Sequence, residues 1–306
     1  MKNIYFDNAA TTKLDDEVLK EMLPYLKDNY GNPSSIYKLG REARKAIEDS
    51  REKIAKVLNC KANEIYFTAG GSESDNTAIK GIAKANKKRG NHIITSKIEH
   101  PAVLETCKQL EKEGFEITYI SVDEKGIVDL EELKKSIKPT TILITIMFAN
   151  NEIGTIQPIE EIGKIAKGNN IYFHTDSVQA VGSIKIDVQK LNIDSLSLSG
   201  HKFYGPKGVG ALYVKTGVPF EKFISGGHQE RNKRAGTENV AGIVGIGKAI
   251  ELAYENLDEY NKKIKELRDY YVKQVEEKIP YIKINGDMEK RLPGNSNISF
   301  RFIEGE

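Results

Sequence analysis

The sequence predicts an α/β protein: a mostly parallel mixed sheet flanked by helices, with a smaller α+β domain beside it. Three observations carry this. From about residue 64 onward, short β-rich runs alternate with segments of helical spacing, and strand–helix–strand repetition is the pattern of a parallel sheet covered on both faces. The run 141–147 is apolar and β-branched, which suits a strand buried in the middle of such a sheet. With 306 residues and 39% hydrophobic content, the chain can bury one large core and a lesser one.

In chain order, 15–58 reads as charged helix, interrupted by the turn residues Gly31, Asn32 and Pro33. Candidate strands follow at 64–68, 92–95, 116–120, 141–149, 171–174 and 195–198, with helices at 101–113, 130–137 and 158–167 between them. A second long charged helix spans 239–278, and strand-like patterns return at 281–284 and 296–300. These assign 15–254 to a large domain and 1–14 with 255–306 to a small one. Neither a repeat nor a linker rich in Pro, Gly or Ser divides the chain.

Composition narrows the function classes. Lys and Arg (46) nearly balance Asp and Glu (44), leaving no excess charge to attract nucleic acid or a membrane surface. No stretch reaches the roughly 18 apolar residues of a membrane helix, so a cytoplasmic location is the default expectation. Two cysteines, Cys60 and Cys107, lack the spacing of a metal pair and fit a reducing compartment. No metal site is expected, and both thiols read as packing residues.

Three polar stretches carry the chemistry. Residues 199–208, Ser-Gly-His-Lys-Phe-Tyr-Gly-Pro-Lys-Gly, follow an apolar strand and put Lys202 where α/β folds place reactive groups, outside the carboxyl end of a strand. Taken singly, Lys202 reads as a solvated surface charge. Residues 174–179 follow another strand, so Asp176 is expected at the same sheet edge; alone it reads as a helix cap or loop acid. A lysine to hold an aldehyde and a carboxylate to keep a pyridine nitrogen protonated is the pair that pyridoxal 5′-phosphate (PLP) requires. Residues 67–76 run from a strand through Gly70 and Gly71 into a helix, which would present backbone N–H groups to a phosphate; its plainer reading is a tight turn capped by Ser72 or Ser74.

Eight blocks in order resemble the cysteine desulfurases, a branch of the class V aminotransferase-like PLP enzymes: 7–12 (Asp-Asn-Ala-Ala-Thr-Thr), 31–35 (Gly-Asn-Pro-Ser-Ser), 70–76, Glu99-His100, 150–154 (Asn-Asn-Glu-Ile-Gly), 174–179, 199–202 and 234–239 (Arg-Ala-Gly-Thr-Glu-Asn). The resemblance implies the type I PLP-dependent transferase fold. It implies that Lys202 forms the Schiff base and moves protons, that Asp176 faces the pyridine nitrogen, that Gln179 bonds the phenolic oxygen, and that His100 stacks on the ring and assists proton transfer. Gly71, Ser72, Ser199 and His201 match phosphate-binding positions, and Thr237 matches one supplied by the other subunit of a homodimer. Asn151 matches a contact to substrate and cofactor; Asn32 lies in a segment near the substrate carboxylate. Without the match, His100 and His201 read as packed or surface histidines, and Asn150-Asn151 as a turn.

The implied reaction converts L-cysteine to L-alanine and passes sulfur on as a persulfide, for iron–sulfur clusters or thiolated cofactors and tRNA, through a sulfur-acceptor or scaffold protein. In the family, the nucleophilic cysteine and a carboxylate-clamping arginine lie beyond the segment that resembles 294–300, and this sequence reaches Glu306 without a counterpart to either. Neither Cys60 nor Cys107 occupies that cysteine's position. Gly71-Ser72 also departs from the alanine and threonine often found there, a change that preserves backbone contacts to phosphate. Alternatives are a related lyase, such as one acting on selenocysteine, an aminotransferase, or an inactive PLP-fold partner protein.

Overall fold

The computed structural model describes residues 4–304. Seven strands form one sheet in the order β1-β7-β6-β5-β4-β2-β3: β1 (Ile65–Thr68), β2 (His92–Ser96), β3 (Glu116–Ile120), β4 (Thr141–Thr145), β5 (Tyr172–Asp176), β6 (Ser195–Ser199) and β7 (Gly210–Val214). The five strands from β6 to β3 run parallel; β7 is antiparallel to both of its neighbours, β1 and β6. The sheet is therefore mostly parallel and mixed, as expected.

β4, Thr-Ile-Leu-Ile-Thr, is buried at every position, the signature of a central strand covered on both faces. It stops at Thr145, short of the predicted 149. The N–H groups of Ile146 and Phe148 nonetheless still donate to the carbonyls of His174 and Asp176, so the chain continues along β5 as far as the sheet edge. β7 was not among the predicted strands; the glycine-rich loop before it masks its start.

Helices α3 (Gly71–Ala85), α4 (Pro101–Lys112), α5 (Leu130–Ser136) and α6 (Ile159–Gly168) alternate with the strands. The predicted 15–58 helix is two, α1 (Asp16–Lys27) and α2 (Lys38–Leu58), separated by ten residues rather than a single turn. Asp15 caps α1, its side chain accepting from the N–H of Glu17 at 2.8 Å, and α2 stops where Asn59 turns left-handed. After the short α7 (Gln229–Asn232), the 239–278 helix also divides, at Asn256, into α8 (Val240–Glu255) and α9 (Leu257–Lys278). α8 is apolar nearly all round and packs against α1, α2 and the turn that follows β6, while α9 is charged and leads to a separate two-stranded sheet of β8 (Ile282–Ile284) and β9 (Ile298–Phe300). The expected small domain begins and ends in residues 1–3 and 305–306, which lie outside the described residues.

Candidate active site

The carboxyl ends of β1, β2, β4, β5 and β6 share one edge of the sheet, where α/β folds place their ligands. A cavity of about 540 Å³ opens there. Nine of the eleven sequence-expected site residues line it: Gly71, Ser72, His100, Asn151, Asp176, Gln179, Ser199, His201 and Lys202. Asn32 and Thr237 do not; both are exposed elsewhere on the chain.

Lys202 lies on the short turn that follows β6. Its ammonium group donates to the carbonyl of Ala10 at 2.9 Å and to that of Ala9, contacts that hold the side chain without a hydrogen-bonded carboxylate. Burial pulls its pKa below the ordinary lysine value, while the charges of Asp176, Asp7 and Glu152 pull the other way without restoring it. The result is an amine that sheds its proton more readily than a surface lysine.

Asp176 ends β5, buried at 6% exposure, and accepts the N–H of Val178 at 2.9 Å. Burial raises its pKa; that hydrogen bond and the nearby His100 and Lys202 act against the rise. His100 caps α4, its Nδ1 accepting the N–H of Ala102 at 3.1 Å. That bond places the neutral ring's proton on Nε2.

The opposite wall is the first turn of α3. Gly70, at φ 153° and ψ −177°, takes a backbone conformation open in practice to glycine alone. A side chain at Gly210 on β7 would lie 2.7 Å from the Gly70 backbone, so Gly210 has no room for a Cβ, whereas Gly70 is restricted by its φ. No side chain caps this helix, leaving first-turn N–H groups, which a helix cannot satisfy internally, directed at the cavity end. Glu73, in the same turn, accepts the Ala69 N–H at 2.9 Å and pairs with Arg234 at 2.9 Å, tying the turn to the 224–239 loop.

The amino-terminal segment completes the wall. Thr12 donates its N–H to the His201 carbonyl at 2.9 Å, Thr11 and His201 share a 3.1 Å bond, and Gln179 donates to the Ala9 carbonyl at 3.0 Å. Asp7, Ala9 and Ala10 thereby join the cavity, giving the 7–12 block, which sequence reading left without individual roles, a place at the site.

Sequence reading also missed Asp75, at 1% exposure the most buried acid on the cavity wall. Its signal was available: Asp75 falls on the same helical stripe as Ala78, Ile79 and Ile82, all fully buried, and an acid within an apolar stripe is out of place unless it has a task. Among the described residues neither cysteine reaches the cavity. Cys107 is packed within α4, and Cys60 sits beyond the amino end of β1, at the opposite edge of the sheet; burial pushes both thiols up to about 12. The reading of both as packing residues agrees with this. No helix among the described residues is long and apolar enough to cross a membrane.

Comparison with known proteins places this geometry. The class-V aminotransferase family model matches residues 4–306. A cysteine desulfurase IscS of Clostridium botulinum is 59% identical across the whole chain, which spans 77% of that protein's length, and one of Dictyoglomus turgidum is 58% identical with the same 77% share. Among solved structures, a NifS-like protein superposes with a TM-score of 0.96 at 45% identity, covering 99% of this chain and 83% of that one. SspA in complex with cysteine gives 0.86 at 41%, covering 98% and 84%. With its family model matched from residue 4 to 306 and relatives this similar along its whole length, the chain belongs to the class-V aminotransferases, in their cysteine desulfurase branch.

Proposed function

We propose that the cavity binds PLP and that the chain desulfurates L-cysteine, releasing L-alanine and passing sulfur on as a persulfide to an acceptor protein. The observation that carries this is the facing of Lys202 and Asp176 across a cavity closed at its far end by an uncapped helix terminus. An amine of lowered basicity, a buried acid and an anion site are the three groups PLP needs from a protein, and the volume of about 540 Å³ leaves room for a small amino acid beside it. When bound, PLP supplies a sink for the electron pair left when the substrate Cα loses its proton.

The chain's own residues do the rest. Lys202 would hold the cofactor through its aldehyde, and its amine, of lowered basicity, would take the substrate Cα proton and return it. Asp176 holds a proton on the pyridine nitrogen. His100 offers Nε2–H to the ring face and the substrate, and Gln179 offers its amide to the phenolic oxygen. The first turn of α3 at Gly71 and Ser72, with Ser199 and His201, would hold the phosphate, and Thr237 of a second copy in a homodimer would complete that site. Asn151 and Asn32 contact the substrate. Burial holds both Cys60 and Cys107 as thiols away from the cavity, so neither is assigned the role of taking up the sulfur. The setting is the cytoplasm, and the product feeds iron–sulfur cluster or thiolated cofactor and tRNA synthesis.

The test is to incubate the chain with PLP, L-cysteine and a thiol reductant and to measure alanine. Alanine that depends on Lys202, vanishing in Lys202→Ala, is expected. Alanine formed equally by Lys202→Ala, or none from the unaltered chain, would contradict the proposal.

A further inference from the structure

At the cavity floor Asp75 has no task in the reaction described so far. It lies on α3 one helical turn after Gly71, and its Oδ1 meets no hydrogen-bond partner among the described residues. Its carboxyl, that of Asp176 and a ring nitrogen of His100 lie within 4.8 Å of one another. Two carboxyls buried so close do not both ionise, so the pair holds one proton and the surroundings decide which member keeps it.

Those surroundings are asymmetric. From β5, the Nε2 of His174 stands 3.7 Å from Asp75. Both nitrogens of that ring are occupied by the hydroxyls of Thr145 (2.8 Å) and Ser197 (3.0 Å), and burial pushes its pKa down to about 3, so it brings no positive charge. From β6 comes only the Ser197 hydroxyl. From the turn before α4 comes Glu99, itself buried and pushed up to about 8. Asp75 thus faces the neutral imidazole of His174, a hydroxyl, two other acids and, within 4.8 Å, a ring nitrogen of His100; burial followed by the charge of Asp176 raises its pKa well above the ordinary value. Asp176 has the Val178 N–H and, across the cavity, Lys202 and His100.

We propose that Asp75 keeps the shared proton and donates it to Asp176, acting as a positioning residue that fixes the pair's single negative charge on the carboxyl facing the cavity. This rests on the reading of Asp176 as the partner of a pyridine nitrogen. One charge is what that nitrogen needs opposite it. A second would hold Lys202 as an ammonium and work against its attack on the aldehyde.

The experiment is carbon-13 NMR of the full chain labelled at the aspartate carboxyl carbon, with and without PLP, the Asp75 signal being the one lost in Asp75→Asn. That signal should sit at the position of a protonated acid and stay there from about pH 5 to about pH 8. Asn, which also donates and carries no charge, should leave PLP affinity within about twofold, whereas Asp75→Ala, which removes the donor, should weaken it about tenfold. An ionised Asp75 signal near neutral pH would overturn the proposal, as would Asn weakening PLP as much as Ala does. So would uptake of Zn²⁺ that Asp75→Asn abolishes, since the cluster would then be a cation site. Should the unaltered chain bind no PLP, the cofactor reading fails while the Asp75 signal still decides who holds the proton.

Discussion

Glu99 and His174 stand next to the cavity acids and titrate in opposite senses. Buried Glu99 accepts from the Ser96 hydroxyl at 2.6 Å and the Met147 N–H at 3.0 Å, yet burial outweighs both bonds and lifts its pKa to about 8. A raised carboxyl favours the folded state most below its unfolded value, about 4.3, and loses that contribution as pH climbs toward 8. His174, depressed to about 3, contributes fully above about 6.5 and loses stability as pH falls below it. Above about pH 6.5, then, only the Glu99 slope remains of the two. Denaturant titrations between about pH 6.5 and pH 8 should show stability falling with pH in the parent, on the order of 1–3 kcal/mol, and a flatter line in Glu99→Gln. At this scale the sequence exposed Lys202 and Asp176 because each follows a strand. It concealed the Asp75–Asp176 contact, since α3 and β5 are about 100 residues apart and only the folded sheet brings them together.

Single elements set the cavity walls, and their turns are where substitutions should cost most. Gly70→Ala forces a Cβ onto φ 153°; a loss of about 1–3 kcal/mol in thermal unfolding and a weakened hold on PLP phosphate are expected. The 224–239 loop is fixed by a second device. Glu230 bonds Arg51 through both oxygens, at 2.7 and 2.8 Å, and also accepts the Phe67 N–H at 2.9 Å, with both charged side chains 3% exposed. Glu230, Arg231 and Asn232 all sit at positive φ, a local cost that this pair offsets. Glu230→Ala strands a buried guanidinium, and chemical denaturation should register a loss of about 3–5 kcal/mol. Strand and helix types were legible from period and composition at this scale. Ends were less so: the gap between α1 and α2 is a ten-residue excursion that a Gly-Asn-Pro turn alone did not reveal, and β7 hid behind a glycine-rich loop.

At the scale of the whole molecule, the site draws on segments from residue 7 to residue 202, held by contacts such as Thr12 with His201 that no local pattern encodes. The alternation of strands and helices was enough to predict the sheet, and the strand ends enough to predict the edge at which the cavity opens; the fold of the amino-terminal segment across Lys202 came only from tertiary packing. The surface carries a further expectation. Leu23, Leu26, Tyr30 and Ile36 are 52%, 60%, 76% and 89% exposed, an apolar load at and after α1 that suits a covered face. Sedimentation at micromolar concentration should show a dimer, and Leu23→Glu with Leu26→Glu should shift it toward monomer. The central claim, that Lys202 is the residue which holds PLP, is tested most directly by reducing the PLP-loaded chain with borohydride and mapping the adduct by peptide mass spectrometry. A single phosphopyridoxyl group on Lys202, absent from Lys202→Ala, is the predicted result; an adduct on another lysine, retained when Lys202 is replaced, would contradict it.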